Sequence, residues 1–432
     1  MKRVVWKELD ASGRAGALAR PEAVSDPALV ERVRAVMKDV RERGNAALAD
    51  YTRRFDTDAP VTLRVDPEEM RAAWESLPAE DRAAIERARR NVKAFHAAQM
   101  PEDVEVETEP GVLCRREVRA IDTAGLYVPG GTAPLVSTLI MLAVPAKVAG
   151  CRRRVVVTPP GANGRINPVI LAAAYRCKVT DVFAVGGAQA IAALAYGTQS
   201  VPRCDKIFGP GNAYVAAAKS LAAQEPGGPA TDMPAGPSEA MVLCDAKSNP
   251  DFVASDLLSQ AEHDAVAQVV CVSCCPDMAQ AVEAAVERQL QALSRHNIAK
   301  AALAHGRMIV ADNRTDLVDI VNTYAPEHLI VQTTRPDTLV PAIRNAGSIF
   351  LGPWTPESVG DYASGTNHTL PTNGAARAYS GITLDSFLKY VSVQKLTKRG
   401  LKSLGPTVER LADMEGLDAH RNAVTLRLAA MK

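Results

Sequence analysis

Glu327 and His328 stand side by side at the head of an otherwise apolar run, Tyr324-Ala-Pro-Glu-His-Leu-Ile-Val. Histidine titrates near neutral pH and suits general acid–base work, while a glutamate beside it can activate water. Neighbours on a strand point to opposite faces, so both can serve one site only at the strand's end or at a bend. Pro326, which restricts the residue before it, supplies a reason for such an end.

The chain has seven histidines, few enough to weigh one by one. Ser259-Gln260-Ala-Glu-His263 closes a helix that begins near Pro250. At i and i+3, Gln260 and His263 would share a helix face, a spacing that can offer two ligands to one ion, although such pairs are commonly mere surface features. Glu357-Ser-Val-Gly-Asp361-Tyr-Ala-Ser-Gly-Thr-Asn-His368 follows an apolar strand ending at Leu351. Loops after strands in α/β sheets receive ligands, and here Asp361 offers a hard oxygen and His368 a donor or base. A capped helix start at Thr355 or Ser358 is compatible with that. Glu415-Gly-Leu-Asp-Ala-His420 opens the last helix. If both were helical they would point about 140° apart, so they would reach a site separately or simply be solvated. His96, His296 and His305 lie in polar helical or turn sequence and are expected to be exposed. Cys271, Cys274 and Cys275 are read as structural rather than as a metal cluster, since Gln268 to Cys274 has the pattern of a buried strand and no second CxxC or nearby histidine accompanies them.

The elements that must position these residues follow from pattern. Residues 1–119 read as a helical segment ending in a hairpin and packing with the second of two α/β domains. A helix capped by Asp26 carries Leu29, Val30, Val33, Val36 and Met37 to Gly44, and another helical stretch at 67–98 breaks at Pro78. Residues 104–118 alternate around Pro110-Gly111 like two strands. From 120 to 238 the texture is strand–glycine–helix: Gly125 to Gly131, Val155 to Gly161, Val182 to Gln189, and Lys206 to Asn212, each leading toward a helix. Repeats of this kind predict a parallel, doubly wound α/β sheet. The pattern restarts over 239–381 as a second such domain. Residues 382–432, one short strand and two helices, are too few to bury a core and must dock on their own body or on a partner subunit.

Composition narrows the classes. With 50 basic and 49 acidic residues, nothing pulls the whole chain toward nucleic acid or a membrane. The most apolar stretch, 135–148, is broken by Pro145 and Lys147 and is too short to span a bilayer. The first ten residues lack the apolar core of a secretory signal. Eight cysteines, mostly in apolar runs, fit a reducing cytoplasm better than a disulfide scaffold.

Several of these motifs, in order, resemble one family. Gly209-Pro-Gly-Asn-Ala-Tyr-Val, Asp232-Met-Pro-Ala-Gly-Pro-Ser-Glu, Asp256-Leu-Leu-Ser-Gln-Ala-Glu-His, Tyr324-Ala-Pro-Glu-His-Leu, Gly360-Asp-Tyr-Ala-Ser-Gly-Thr-Asn-His and Ala419-His-Arg-Asn-Ala-Val-Thr-Leu-Arg are similar to histidinol dehydrogenases. The resemblance is colinear from about residue 120 to the C-terminus. It implies two Rossmann-like domains of the aldehyde-dehydrogenase-like type. It implies zinc held by Gln260, His263, Asp361 and His420, and a substrate pocket formed with Ser238, Glu327, His328, His368 and Glu415. It implies NAD contacts from Tyr127, Gln189 and Asn212, and a cytoplasmic homodimer in which Glu415 and His420 come from the other subunit. The activity implied is the last step of histidine biosynthesis, the oxidation of L-histidinol to L-histidine through an aldehyde with two NAD. His328 would be the base and Glu327 the activator of water, with no cysteine nucleophile. Two alternatives stay open: a zinc dehydrogenase for another polar alcohol, and a zinc hydrolase using Glu327 on metal-bound water.

Overall fold

The computed structural model describes residues 1–20, 27–130, 134–234 and 236–431. The expected cap Asp26, and Gly131 in the first glycine turn, lie outside the described residues. In chain order the first strands are β1 (Lys2–Val5), β2 (Val104–Glu109), β3 (Val112–Ala120), β4 (Thr123–Tyr127), β5 (Arg153–Thr158), β6 (Asp181–Ala184), β7 (Lys206–Phe208) and β8 (Ala230–Thr231). Then come β9 (Glu239–Cys244), β10 (Gln268–Ser273), β11 (Arg307–Val310), β12 (His328–Val331), β13 (Ser348–Leu351) and β14 (Leu388–Leu396).

Two parallel sheets carry the larger of two compact units, Met1–Gln99 with Asp122–Phe387. One has the order β6-β5-β4-β7-β8, the other β1-β11-β10-β9-β12-β13. Each order reverses once, between β4 and β7 and between β9 and β12, as the doubly wound reading requires. The central strands are apolar on both faces because helices cover both faces. In the second sheet Val242, Cys271, Met308 and Ile330 pack on one side with Val253, Leu257 and Val282. Their strand neighbours Met241, Val270, Ile309 and Leu329 pack on the other with Trp6, Leu18, Leu317 and Ile320. Asparagines start several of the covering helices: Asn167, Asn212, Asn249 and Asn313 each accept a backbone N–H of the first turn through their side chain.

The N-terminal segment departs from expectation. Only its beginning lies on the second sheet, where β1 pairs with β11. The helices Pro27–Arg43 and Asn45–Phe55 instead place Val33, Met37, Val40, Ala47 and Leu48 in the core of the first sheet, beside Val155 and Phe183. Their apolar stripes carry no label for which sheet they cover. His96, expected outside, is 0% exposed. It ends the helix Ala79–Ala97, with Nδ1 donating to Val92 O at 2.8 Å and Nε2 3.4 Å from the Asn367 amide. Its polar neighbours in sequence face away from it.

Met100–Ile121 and Leu388–Lys432 form the second unit. The hairpin β2–β3 therefore belongs with the tail rather than with the N-terminal helices, because β14 pairs antiparallel with β3 from Leu388↔Ala120 to Leu396↔Val112. The helices Lys398–Met414 and Asp418–Ala429 follow and pack on one another. Among the described residues no helix is long and apolar enough to cross a membrane.

Candidate active site

Seven of the residues singled out by sequence line one cavity of about 180 Å³ in the larger unit: Ser238, Gln260, His263, Glu327, His328, Asp361 and His368. The second sheet presents its amino-terminal edge to this cavity. Ser238 precedes β9, and Glu327 and His328 open β12. Asp361 and His368 follow β13, as expected, and line the cavity together with the residues that open β9 and β12. The helix Pro250–Ala261 runs against its strands and delivers Gln260 to the same edge. His263 lies in the turn after that helix rather than within it, and still reaches the cavity.

The bend that lets Glu327 and His328 share a site is present, in a sharper form than a proline alone dictates. Ala325 sits at φ 55°, ψ 67°, left-handed backbone that a residue before proline rarely adopts. Pro326 O and Glu327 O then accept the N–H groups of Gly347 and Ser348, each at 2.9 Å. A side chain at Gly347 would place its Cβ 2.6 Å from Glu327 O, so glycine is required there.

Both residues are held by the backbone of one residue, Glu239. Glu327 Oε2 accepts the Glu239 N–H at 2.9 Å, and His328 Nδ1 lies 3.2 Å from Glu239 O, geometry for donation. His328 also faces three carboxylates. Glu327 and Glu357 are 3.7 and 3.8 Å from Nδ1, and Asp361 is 3.5 Å from Nε2. Nε2 is buried with no hydrogen-bond partner at normal distance, and His328 lines the cavity. Burial pushes Glu327 up to about 7 and Glu357 up to about 8, with the His328 charge opposing. Burial alone would lower His328, but Glu357, Glu327 and Asp361 outweigh it and hold it well above its usual value. Asp361 is also disfavoured by burial, yet the contact with His328 brings it below the usual carboxylate range. His263 and His368 are kept neutral by burial, a form in which imidazole can ligate a metal.

His368 has both ring nitrogens in use. Nδ1 donates to Asp361 O at 3.0 Å, which leaves Nε2 to accept from the Thr138 hydroxyl at 3.1 Å. A substrate contact by His368 requires one of these to open. Gln260 is the opposite case, for its amide oxygen and nitrogen are both buried without a partner. Beside His263 and Asp361, that orphaned amide fits a metal ion that would complete its coordination. His328, Glu357 and Asp361 form the one cluster of three among the described residues whose ligand atoms lie within 4.8 Å of one another. Their charges already compensate each other, so the unpartnered Gln260 amide is the better mark of a place where an ion would fit.

On the first sheet, Tyr127 ends β4, Gln189 is buried in the first turn of Gly187–Tyr196, and Asn212 caps Ala213–Gln224. Tyr127 and Asn212 flank the reversal between β4 and β7, where the carboxyl edge opens a crevice. Gly209 and Gly211 of the same turn line the cavity, although Tyr127, Gln189 and Asn212 do not. The turn is pinned by Lys219, buried, which donates to Gly209 O at 2.9 Å and pairs with Asp232, while Asp232 accepts from Gly209 N at 2.8 Å. At φ 114°, with Tyr127 O only 2.1 Å from any Cβ, position 209 admits glycine alone.

Glu415 and His420 belong to the second unit. Glu415 caps the helix Lys398–Met414 and His420 is the third residue of Asp418–Ala429, both exposed. Sequence reasoning assigned no role to Glu239, Glu357, Thr138 or Lys219. A charge opening the buried run of β9 was the one available signal for Glu239, and Glu357 lay unassigned within a motif already under scrutiny.

Known proteins share this sequence and fold. A model of the family described as histidinol dehydrogenase matches residues 19–428. The chain is 50% identical over 428 residues to a histidinol dehydrogenase of Vibrio parahaemolyticus, covering 99% of this chain and 98% of that protein. It is 50% identical over 430 residues to one of Xylella fastidiosa, covering 100% of both. A crystal structure of histidinol dehydrogenase from Elizabethkingia anophelis superposes with a TM-score of 0.95 at 44% identity, covering 100% of this chain and 98% of that one. Similarity that runs the whole length, at such identity and with so close a superposition, leaves one conclusion: the chain belongs to the histidinol dehydrogenase family.

Proposed function

We propose that this protein is a zinc-dependent, NAD-linked dehydrogenase that oxidises L-histidinol to L-histidine through histidinal, the closing step of histidine biosynthesis. The observation that carries the reading is the convergence of Glu327, His328 and the unpartnered Gln260 amide on one cavity.

Gln260, His263 and Asp361 would hold the zinc with His420, and the ion when bound would position the imidazole and amine of the substrate. In its neutral form, with Nδ1 still donating to Glu239 O, His328 takes the alcohol proton at Nε2 as hydride leaves for NAD. Glu327, whose raised pKa makes it a base near neutral pH, takes a proton from water as the water oxygen bonds to the aldehyde carbon, while His328 gives the proton it took from the alcohol to the carbonyl oxygen and is a base again. His328 deprotonates the resulting hydrate as a second hydride departs, giving the carboxylate. The eight cysteines are free, and among the described residues none lines the cavity. The hydrate route therefore suits this site better than a covalent thiol adduct.

Tyr127, Gln189 and Asn212 are the proposed NAD contacts, at the crevice that doubly wound sheets use for dinucleotides. Glu415 and His420 are proposed to act in the site of a second copy, in a homodimer. Leu411, Met414, Leu417 and Leu426, on or between the same two helices, are exposed apolar side chains that such docking would cover. Tail docking on a partner and the domain limits near 120, 239 and 382 belong to the same reading, as does a cytoplasmic setting. Identification of L-histidine as the product from L-histidinol and NAD tests it; release of another acid, or hydrolysis without NADH, would sink it.

A further inference from the structure

Arg20 lies more than a hundred residues from any group in the cavity, yet its guanidinium touches both Glu239 and Tyr324, on the segments that hold Glu327 and His328. Its side chain is 17% exposed and grips the Glu239 carboxylate as a fork, Nε to Oε2 at 2.5 Å and Nη2 to Oε1 at 2.8 Å. Nη2 also donates to Tyr324 O at 2.8 Å, at the end of the helix that precedes the bend. The guanidinium lies over the Tyr324 ring, 3.9 Å from its centre. The Tyr324 hydroxyl stands 3.0 Å from Glu239 Oε2 and 2.8 Å from Gln268 Oε1. Gln268 in turn donates to Ala19 O at 3.1 Å, closing the network on the residue next to Arg20.

The two segments so joined are the ones that matter. Glu239 contributes the N–H that Glu327 accepts and the carbonyl to which His328 donates. Ala325, directly after Tyr324, holds the left-handed conformation that turns the chain into the pair. Such a conformation persists where its surroundings over-determine it. An arginine is suited to that task because its rigid fork fixes direction as well as charge.

We propose that Arg20, through Glu239 and Tyr324, is a positioning residue that fixes the orientation of Glu327 and His328 for the chemical steps. The proposal rests on the proton-transfer roles given to that pair above. It sets Arg20 apart from a residue that only stabilises the fold, because Gln260, His263 and Asp361 stand on segments that Arg20 does not touch.

The test is a double-mutant cycle on the full-length, zinc-loaded protein, comparing Arg20→Met, Glu327→Gln and the double variant. Arg20→Met is expected to lower kcat about tenfold or more, as small misplacements of reacting groups do. KM for L-histidinol and zinc content should stay within about twofold, given those unperturbed ligands. In the Glu327→Gln background the same change should cost a smaller factor, since the share that acts through Glu327 is already lost and only the share through His328 remains. Arg20→Lys should recover only part of the loss. An unchanged kcat in folded Arg20→Met, or an equal loss in both backgrounds, overturns the proposal. If Arg20→Met fails to fold, Tyr324→Phe enters the same cycle with the same criteria. An unchanged kcat in Glu327→Gln alone refutes the role given to Glu327 instead, and the cycle against His328→Asn then decides for Arg20.

Discussion

His328 Nε2 and Asp361 Oδ1 are 3.5 Å apart, so the proposed proton carrier and a proposed zinc ligand share one contact. The two roles can still be separated by substitution. Asp361→Asn removes the hard anionic oxygen while keeping shape. Zinc affinity measured by dialysis against a chelator should fall on the order of 100-fold or more, beyond the range seen for outer-shell partners. Full retention of zinc would remove Asp361 from the ligand set.

His328→Asn keeps the ligands Gln260, His263 and Asp361 and removes the base. We expect kcat to fall about 10²- to 10⁴-fold, the usual contribution of general acid–base catalysis, with zinc content intact. Loss of zinc in this variant would contradict the assignment. Glu327→Gln should slow the aldehyde step more than the alcohol step, so that histidinal accumulates.

Thr138→Val deletes the hydroxyl that donates to His368 Nε2. The buried ring nitrogen loses its partner, at about 1–3 kcal/mol, readable as a lower urea midpoint at unchanged slope. Thr138→Ser should restore most of it. Equal midpoints for valine and threonine would show the 3.1 Å contact to be without weight.

Asp56 gives a pH dependence outside the cavity. It follows the helix Asn45–Phe55, one carboxylate oxygen has no partner, and burial pushes its pKa up to about 6. The native state therefore binds more protons than the unfolded state between pH of about 4 and about 6, and stability falls as pH rises through that window. Asp56→Asn should be the more stable protein at pH of about 8, by about 1–2 kcal/mol after discounting for its partial exposure. At pH of about 4 the gain should vanish, and a gain that did not vary with pH would contradict the cause.

Much of this was legible in the sequence, and the rest was hidden for identifiable reasons. Glycine turns after apolar runs announced the parallel sheets, since few other sequences satisfy that geometry. Gln260, His263, Asp361 and His368 were visible because polar residues interrupt patterned sequence. Arg20 and Thr138 were invisible because each looks ordinary locally and gains its meaning only from a partner over two hundred residues away. His96 misled because helix polarity averages over faces, while burial is decided at one position. The bend at Ala325 ran against the local rule for residues before proline, and only the surrounding network supports it.

The central claim is that one site oxidises an alcohol fully to an acid while zinc holds the substrate. The direct measurement is the amount of NADH formed per L-histidinol by the zinc-loaded protein with excess NAD, repeated after chelation. The account predicts two NADH per histidinol, abolished by the chelator and restored by zinc. One NADH, or two that persist after complete removal of the metal, would contradict it.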